Sequence, residues 1–454
     1  MPVDTLHPTY LAHERRAQRV RDAVAGTDAM QAGGYLIPPD DSDEARAHAY
    51  RQRAQWLGVT GRTHDGMLGA VFRKAPVIEL PTELEYMRHD ADGSGMSLAQ
   101  FARMNVSAVL QEGRDGILAD YPEAEDGLTQ EQTQGLSATL RRYSSENIIN
   151  WRRDGERLSL VVLREWYDHE IDPFQVEQRE QYRVLTIEGG YYVQRVYREG
   201  QPVAEAQPRM ASGERFGLIP FVFVGSVNND EHPDKPVLLD LADVNIGHFR
   251  NSADLEEASF LVGQPMFHID IGEMSADEWN QLNPNGITVG SRRGIQTKGG
   301  SASMVQAEER NLPLKLMEQK EAQMLAIGAR LIEQKGGNET AESVRARSGA
   351  ENASLSSVAE NVSDAIESAL EWCALFMTTR DAFEEIVFSL NREFYAETMD
   401  AQQAMALIQL GDRGHIGQAD IRAWGRKVGI ISPERTDDDI NDDVQTSGIN
   451  LGVM

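Results

Sequence analysis

Between residues 239 and 376 the chain carries three long amphipathic seams separated by two glycine-rich breaks, an arrangement that few folds can absorb. Leu239, Ala242, Ile246, Phe249, Ala253, Glu256 and Phe260 recur at spacings of three and four, which predicts a helix with one apolar stripe interrupted only by Glu256. Gly263 and Pro265 stop it. Residues 266–304 hold Gly272, Pro284, Gly286, Gly290, Gly294 and Gly299–Gly300, with strands expected at Met266–Ile271 and Ile287–Val289: a small, turn-rich insertion. A second helix is expected from about Asn311 to Gln334, aligning Leu314, Met317, Met324, Gly328 and Leu331. Gly336–Gly337–Asn338 breaks it. In the third seam Leu355, Val358, Ala359, Val362, Ile366, Ala369, Leu370, Cys373 and Phe376 share a face, and little stops the pattern before Phe394. That length is well past the usual helix of about three turns.

The N-terminal half is mixed. Ala12–Val24 and Glu44–Leu57 read as helices, Val77–Leu80 as a short extended segment ended by Pro81, and Ser97 as the N-cap of a helix reaching Leu110. Leu158–Trp166, Gln181–Ile187 and Tyr191–Tyr197 alternate and are rich in β-branched and aromatic residues, with Gly189–Gly190 as a hairpin turn, so residues 145–225 are expected to form a sheet. Past Met399, short helical pieces alternate with glycines before the acidic run Asp437–Asp443.

Charge narrows the function. The 454 residues include 44 Lys and Arg against 72 Asp and Glu, a formal charge of −28, so the chain is not one that coats nucleic acid through clustered basic residues. It can still let DNA slide past. A hydrophobic content of 41% rules out wholesale disorder. The lone Cys373 excludes a disulfide framework and a cysteine zinc site, and suits a reducing cytoplasm. The apolar runs predict no membrane span, and the N-terminus predicts no secretory signal.

Sites of chemistry are weakly marked. Asp90-Ala-Asp92-Gly-Ser94-Gly95 imitates the start of a calcium loop, but its twelfth position is Phe101 where a bidentate Glu is required, so the segment reads as a turn. Asp168, His169, Glu170 and Asp172 precede Pro173 and read as a solvated loop. The Asp437–Asp443 run reads as a helix start or tail. No lysine follows a glycine, so a phosphate-binding P-loop is missing, as are a His-Glu-x-x-His helix and a Gly-x-Ser-x-Gly elbow. The sequence therefore predicts no enzyme and no cofactor. More suggestive are the cations flanking the second helix: Arg292, Arg293 and Lys298 before it, Lys335, Arg345 and Arg347 after it. On one chain they are surface charges. On a ring each becomes a positive belt.

The order of elements resembles the portal, or head-to-tail connector, proteins of tailed bacteriophages. Five segments carry the resemblance: Gly113-Arg114-Asp115-Gly116-Ile117-Leu118-Ala119-Asp120-Tyr121-Pro122, Glu146-Asn147-Ile148-Ile149-Asn150-Trp151, Ile219-Pro220-Phe221-Val222, Asn251-Ser252-Ala253-Asp254-Leu255-Glu256, and Gln323-Met324-Leu325-Ala326-Ile327-Gly328-Ala329-Arg330-Leu331. The resemblance spans about residues 50–370 and weakens after Met399. It implies an α+β, mainly helical fold: a wing over 1–235 containing the sheet, a first stem helix over 236–263, a β-rich clip over 264–308, a second stem helix over 309–335, a tunnel loop over 336–343, a long spine helix over 344–396 and a helical crown over 397–454. It implies a ring of roughly twelve copies around double-stranded DNA at one capsid vertex, for packaging, head–tail joining and ejection. The implied partners are other copies of the chain, the terminase that supplies ATP hydrolysis, scaffold and major capsid protein, and a tail adaptor. The implied location is the virion, after assembly in the host cytoplasm. Lys335, Gly336, Gly337, Asn338, Arg345 and Arg347 would then line the DNA channel, with Arg292, Arg293 and Lys298 at the clip. About twelve copies would carry on the order of −336, so an acidic bore would repel the phosphate backbone and let DNA pass. Two other classes fit the same features: another phage head or adaptor protein, and a metal-dependent enzyme using Asp90, Asp92, Asp168, Glu170 and Asp172.

Overall fold

The strand β2 (Arg114–Asp120) is buried along all seven residues, and the larger unit of the protein is organised around it. The structure, a computed structural model, describes residues 2–39, 43–122, 136–263, 266–282, 298–305, 312–332, 341–392, 394, 417–427, 431–432 and 435–446. It is an α+β fold, 46% helical and 24% strand, in two units, Met1–Arg392 and Glu393–Met454.

In the larger unit, helices α1 (Tyr10–Ala25), α2 (Thr27–Ala32), α3 (Glu44–Arg53) and α4 (Val59–Val71) precede the short strand β1 (Val77–Glu79). Ser97 starts α5 (Leu98–Glu112) with a capping box: its hydroxyl accepts from Gln100 N while Gln100 reaches back to Ser97 N. Gly113, at φ 70°, ends α5, and a Cβ there would lie 2.5 Å from Asp234 O, so this left-handed turn against a neighbouring backbone needs glycine. β2 follows directly. It lies between β3 (Thr139–Ser144) and β9 (Phe221–Gly225), antiparallel to both, and α5 and α9 (Ala341–Met377) pack against this sheet.

The second sheet is an antiparallel meander of β4 (Ile148–Asp154), β5 (Arg157–Asp172), β6 (Gln175–Glu188), β7 (Tyr191–Arg198) and β8 (Gln201–Ala206). Gly189–Gly190, both at positive φ, make the expected hairpin turn. Two expectations are corrected. Asp168, His169, Glu170 and Asp172 are not a loop but the outer half of β5, facing Gln178, Glu177, Val176 and Gln175 of β6. Backbone pairing with a partner fourteen residues long overrides their weak strand preference. Beyond Leu163 and Tyr182 neither strand has an outer neighbour among the described residues, so there the β5–β6 hairpin continues as a two-stranded ribbon.

The α9 face expected from periodicity is buried at every residue from Leu355 to Phe376. Its length is the second correction: the helix expected over 344–396 ends at Met377. The chain turns back, and β12 (Val387–Ser389) pairs antiparallel with β1, some three hundred residues earlier. Phe388 is buried, its N–H donates to Glu367 Oε1 of α9 at 2.8 Å, and Leu390 N donates to Ser363 Oγ at 3.1 Å. An apolar run that seemed to prolong the helix instead covers it.

At the centre, charge is buried with β2. Arg114, 2% exposed, lies with its guanidinium carbon 3.9 Å from the Trp151 ring centroid and 4.3 Å from that of Phe223. Burial lowers its pKa to about 9, which leaves it charged at neutral pH. Asp115 is fully buried with Arg142 Nε 2.6 Å away, and burial pushes its carboxyl up to about 7 against the pull of that guanidinium. Arg21 of α1 reaches Glu14 in its own helix, Glu112 at the end of α5 and Glu146 in the turn between β3 and β4, tying α1 to both. Beside them His13 is buried, and desolvation together with Arg114, Arg16 and Arg21 lowers its pKa to about 4.

In the smaller unit α10 (Gln418–Lys427) and α11 (Asp437–Thr446) are described. The acidic run opens α11, where Asp439 accepts from Thr436 N. No helix among the described residues is long and apolar enough to cross a membrane.

Candidate functional site

The three seams form α6 (Leu239–Val262), α8 (Leu312–Ile332) and α9, and α6 and α8 pack side by side as an antiparallel hairpin. Antiparallel register follows from their contacts: His248 meets Glu321 (Nε2–Oε1 3.2 Å), while Asn251, one turn further along α6, meets Lys320 (Oδ1–Nζ 2.5 Å). A Cβ at Gly247 would stand 2.9 Å from Lys320 Cε, so this glycine gives the lysine room to cross α6. Met324 of α8 is fully buried.

Polar side chains along α6, from Asn245 to Glu257, hold it to the N-terminal helices. Asn245 accepts from Thr60 N (3.2 Å) and Oγ1 (3.0 Å) and donates to Leu57 O (2.8 Å), satisfying the start of α4. Ser252 Oγ accepts from Gln55 N at 3.0 Å. Glu257 takes Arg46 on one carboxylate oxygen (2.9 Å) and Arg53 on the other (2.8 Å), and Tyr50 donates to Asp254 at 2.8 Å. The buried carboxylate of the seam is thus Glu257; Glu256, its expected interruption, is half-buried and accepts from Gln55. Arg53 also lies over the Phe260 ring, 3.7 Å from its centroid, so charge covers the last aromatic of the stripe.

Beyond Val262 the hairpin carries a small distal segment. β10 (Met266–Ile269) and β11 (Ala302–Val305) pair antiparallel, and α7 (Ala276–Leu282) is capped by Ser275 and Glu278. α7 has no buried residue, and Asp270, Glu273, Asp277 and Glu278 are exposed. The backbone closes where Gly272 meets Lys298 in a parallel bridge; a Cβ at Gly300 would fall 1.9 Å from Asp270 O, so only glycine fits. Exposed apolar residues remain along the hairpin: Leu261, Leu312, Leu314 and Leu325. Leu314, expected on the covered face, is among them.

Of the sequence-expected site residues, Lys298 is exposed at the Gly272 bridge. Arg345 and Arg347 fall in the first turns of α9. Arg292, Arg293, Lys335, Gly336, Gly337 and Asn338, and the strand expected at Ile287–Val289, lie outside the described residues. Other expected clusters are engaged in structure. Asp92 Oδ1 accepts from Ser94 N (2.9 Å) and Met96 N (3.1 Å), and Asp90 from Gly95 N (2.9 Å), which is turn capping. Asp230, Glu231 and His232, not singled out from sequence, bring potential ligand atoms within 4.8 Å of one another. Glu231 is taken by Arg153 (2.9 Å), however, and Asp230 accepts from His232 N (2.7 Å). The Arg114–Asp115 pair was visible only as part of a resembling segment; nothing in its local pattern distinguishes a buried ionic strand from an exposed one.

A family model described as a domain of unknown function (DUF4055) matches residues 237–377, which spans α6, the distal segment, α8 and α9. No curated protein matches. Among solved structures, a chain of the virion of the native gene transfer agent particle is 14% identical, with 90% of this chain and 98% of that chain covered and a TM-score of 0.39. A chain of the neck of the empty particle, computed with C6 symmetry, is 14% identical over 88% and 96%, with a TM-score of 0.39. A chain of the neck of the native particle, computed with C12 symmetry, is 13% identical over 86% and 94%, with a TM-score of 0.37.

Proposed function

We propose that this chain is a portal subunit: a non-enzymatic virion protein of a tailed-phage-type particle that closes into a ring around double-stranded DNA. The observation that carries the reading is the α6–α8 hairpin, held along α6 from Asn245 to Glu257 by the N-terminal helices and bearing a small β-containing segment beyond Val262. In this reading α6 and α8 are the stem, residues 264–308 the clip, residues 336–343 the tunnel loop, α9 the spine, and residues 1–235 the wing; residues 397–454 supply the crown.

Two physical features support it. Exposed Leu261, Leu312 and Leu325 give the stem apolar area that neighbouring stems would cover in a closed ring. The charge of −28 makes a bore from which the phosphate backbone is repelled, so that DNA moves without adhering. Lys335, Arg345 and Arg347 are assigned as the local positive contacts to passing phosphates, and Arg292, Arg293 and Lys298 as clip contacts to the terminase and later the tail adaptor. Scaffold and capsid protein would meet the wing.

Native mass spectrometry with negative-stain microscopy tests the reading: rings of about twelve copies with a central hole are expected, and a chain that stays monomeric or dimeric at all concentrations refutes it. Charge reversal, Arg345→Glu with Arg347→Glu, should lower packaged DNA while rings still assemble. Unchanged packaging removes both residues from the mechanism.

A further inference from the structure

Residues 2–9 form a strap that crosses the second sheet before α1 begins. Among the described residues two hydrogen bonds join it to β4: Asn150 Nδ2 donates to Thr5 O at 2.8 Å, and His7 N donates to Ile149 O at 2.9 Å. Val3 packs against the buried cluster of Tyr10, Ile149 and Val162. Between residues 2–5 and the strands a cavity of about 920 Å³ stays open, so this part of the strap is not pressed onto the sheet along its length. Much of the attachment therefore falls on His7.

The His7 ring stacks on Trp151, with centroids 3.9 Å apart and planes 18° from parallel. The Arg114 guanidinium carbon also lies 3.9 Å from the Trp151 centroid, so one indole carries both an imidazole and a fixed cation. Charging the imidazole would set a second positive charge against Arg114. Thr9 N donates to His7 Nδ1 at 3.3 Å, which needs a lone pair that protonation removes. Thr9 Oγ1, 2.9 Å from the same nitrogen, can turn to suit either form; the backbone N–H cannot. The charged and titratable groups on the surrounding elements are Arg114 on β2, Arg152 and Arg153 on β4, His13 on α1, Asp4 on the strap, and Asp230, Glu231 and His232 in the loop before α6. Two of the acids are engaged elsewhere, Glu231 with Arg153 at 2.9 Å and Asp230 with His232 N at 2.7 Å. Burial, then Arg114, then His232 hold the His7 pKa below the ordinary 6.5, and no carboxylate offsets them.

We propose that residues 2–9 are a pH-operated strap: protonation of His7 breaks the bond from Thr9 N, opposes Arg114 and frees the segment from β4, uncovering the face of the sheet on which Val3 packs. The released strap carries an ordinary imidazole and the docked strap one that resists charging. Docking is therefore complete above pH 6.5 and weakens as pH falls below it, by up to about tenfold per unit, until the docked imidazole is itself protonated. The opening is local, because β2 is held between β3 and β9 by pairing in which the strap takes no part. The device belongs to the single chain and does not depend on the ring reading.

Hydrogen exchange of the full chain, read by mass spectrometry at about pH 7.5 and 5.5 and corrected for intrinsic rates, tests the strap. Peptides covering residues 2–10 should lose protection by up to about tenfold at the lower pH, while those covering β2 keep theirs. His7→Phe keeps a ring for Trp151 and has no proton to gain, so its strap should stay protected at both pH values. Equal protection of the natural strap at both pH values overturns the proposal, as does an acid loss that persists in His7→Phe. Should His7→Phe leave the strap open throughout, the His7 Cε1–H resonance of the natural protein decides: opening that follows its titration supports the switch, and opening that does not follow it overturns the switch.

Discussion

Arg142→Met tests the buried ionic centre. Asp115 is fully buried, and the Arg142 guanidinium, 2.6 Å away, is its counter-charge. With the pair intact the native carboxyl titrates at about 7, above the ordinary 3.8. Between those values the folded chain holds a proton that the unfolded chain has lost, so this group makes stability fall as pH rises to about 7, and contributes no slope above it. Removing the guanidinium raises the native carboxyl further, and the decline continues past pH 7 at about 1.36 kcal/mol per pH unit. The variant should therefore lose about 2 kcal/mol more, relative to the natural protein, at pH 8.5 than at pH 7. Its full deficit should approach the ~3–5 kcal/mol typical of a buried charge stripped of its partner. Urea unfolding at fixed protein concentration, followed by circular dichroism at both pH values, measures the difference. Adding Asp115→Asn should abolish the extra loss at high pH. If the Arg142→Met deficit is the same at pH 7 and 8.5, Asp115 is not the group that responds, and the burial argument fails.

Two further outcomes follow from the same network and from the hairpin. His13, held near 4 against an ordinary 6.5, stays neutral in the fold while the unfolded chain takes up a proton, so stability falls as pH drops from 6.5 to 4, by about 2 kcal/mol at pH 5; thermal melts of His13→Gln should lack that portion of the acid loss. Glu257→Gln should weaken the charge-assisted bonds to Arg46 and Arg53 by about 1–2 kcal/mol, a modest figure because Arg46 is itself largely exposed. Hydrogen exchange should then quicken in the last turns of α6 and in α3, while Thr60, held through Asn245, keeps its protection.

Much of this architecture can be read from local pattern. Ser97 and Gln100 mark a helix start because a cap needs only residues three apart. The buried face of α9 follows from spacing alone, since helical periodicity is set by near neighbours. The antiparallel hairpin was legible for the same reason: two stripes joined by a short insertion must cover each other. Glu257 was missed and Glu256 named instead, because both sit at the edge of the stripe and only the approach of Arg46 and Arg53 from α3 decides which one is enclosed.

What the sequence by itself determined is the long helices, their apolar faces, the Gly189–Gly190 turn and the net charge, all of them properties of neighbouring residues or of sums. Tertiary structure alone decided that β5 and β6 continue through an acidic stretch as a two-stranded ribbon, that α9 stops at Met377 so that Val387–Ser389 can pair with Val77–Glu79, and that Arg114 and Asp115 lie in the core. Each of these depends on a partner distant in the chain or on the surroundings of a folded strand, and a backbone edge or a buried counter-charge leaves no periodic trace in the residues that use it.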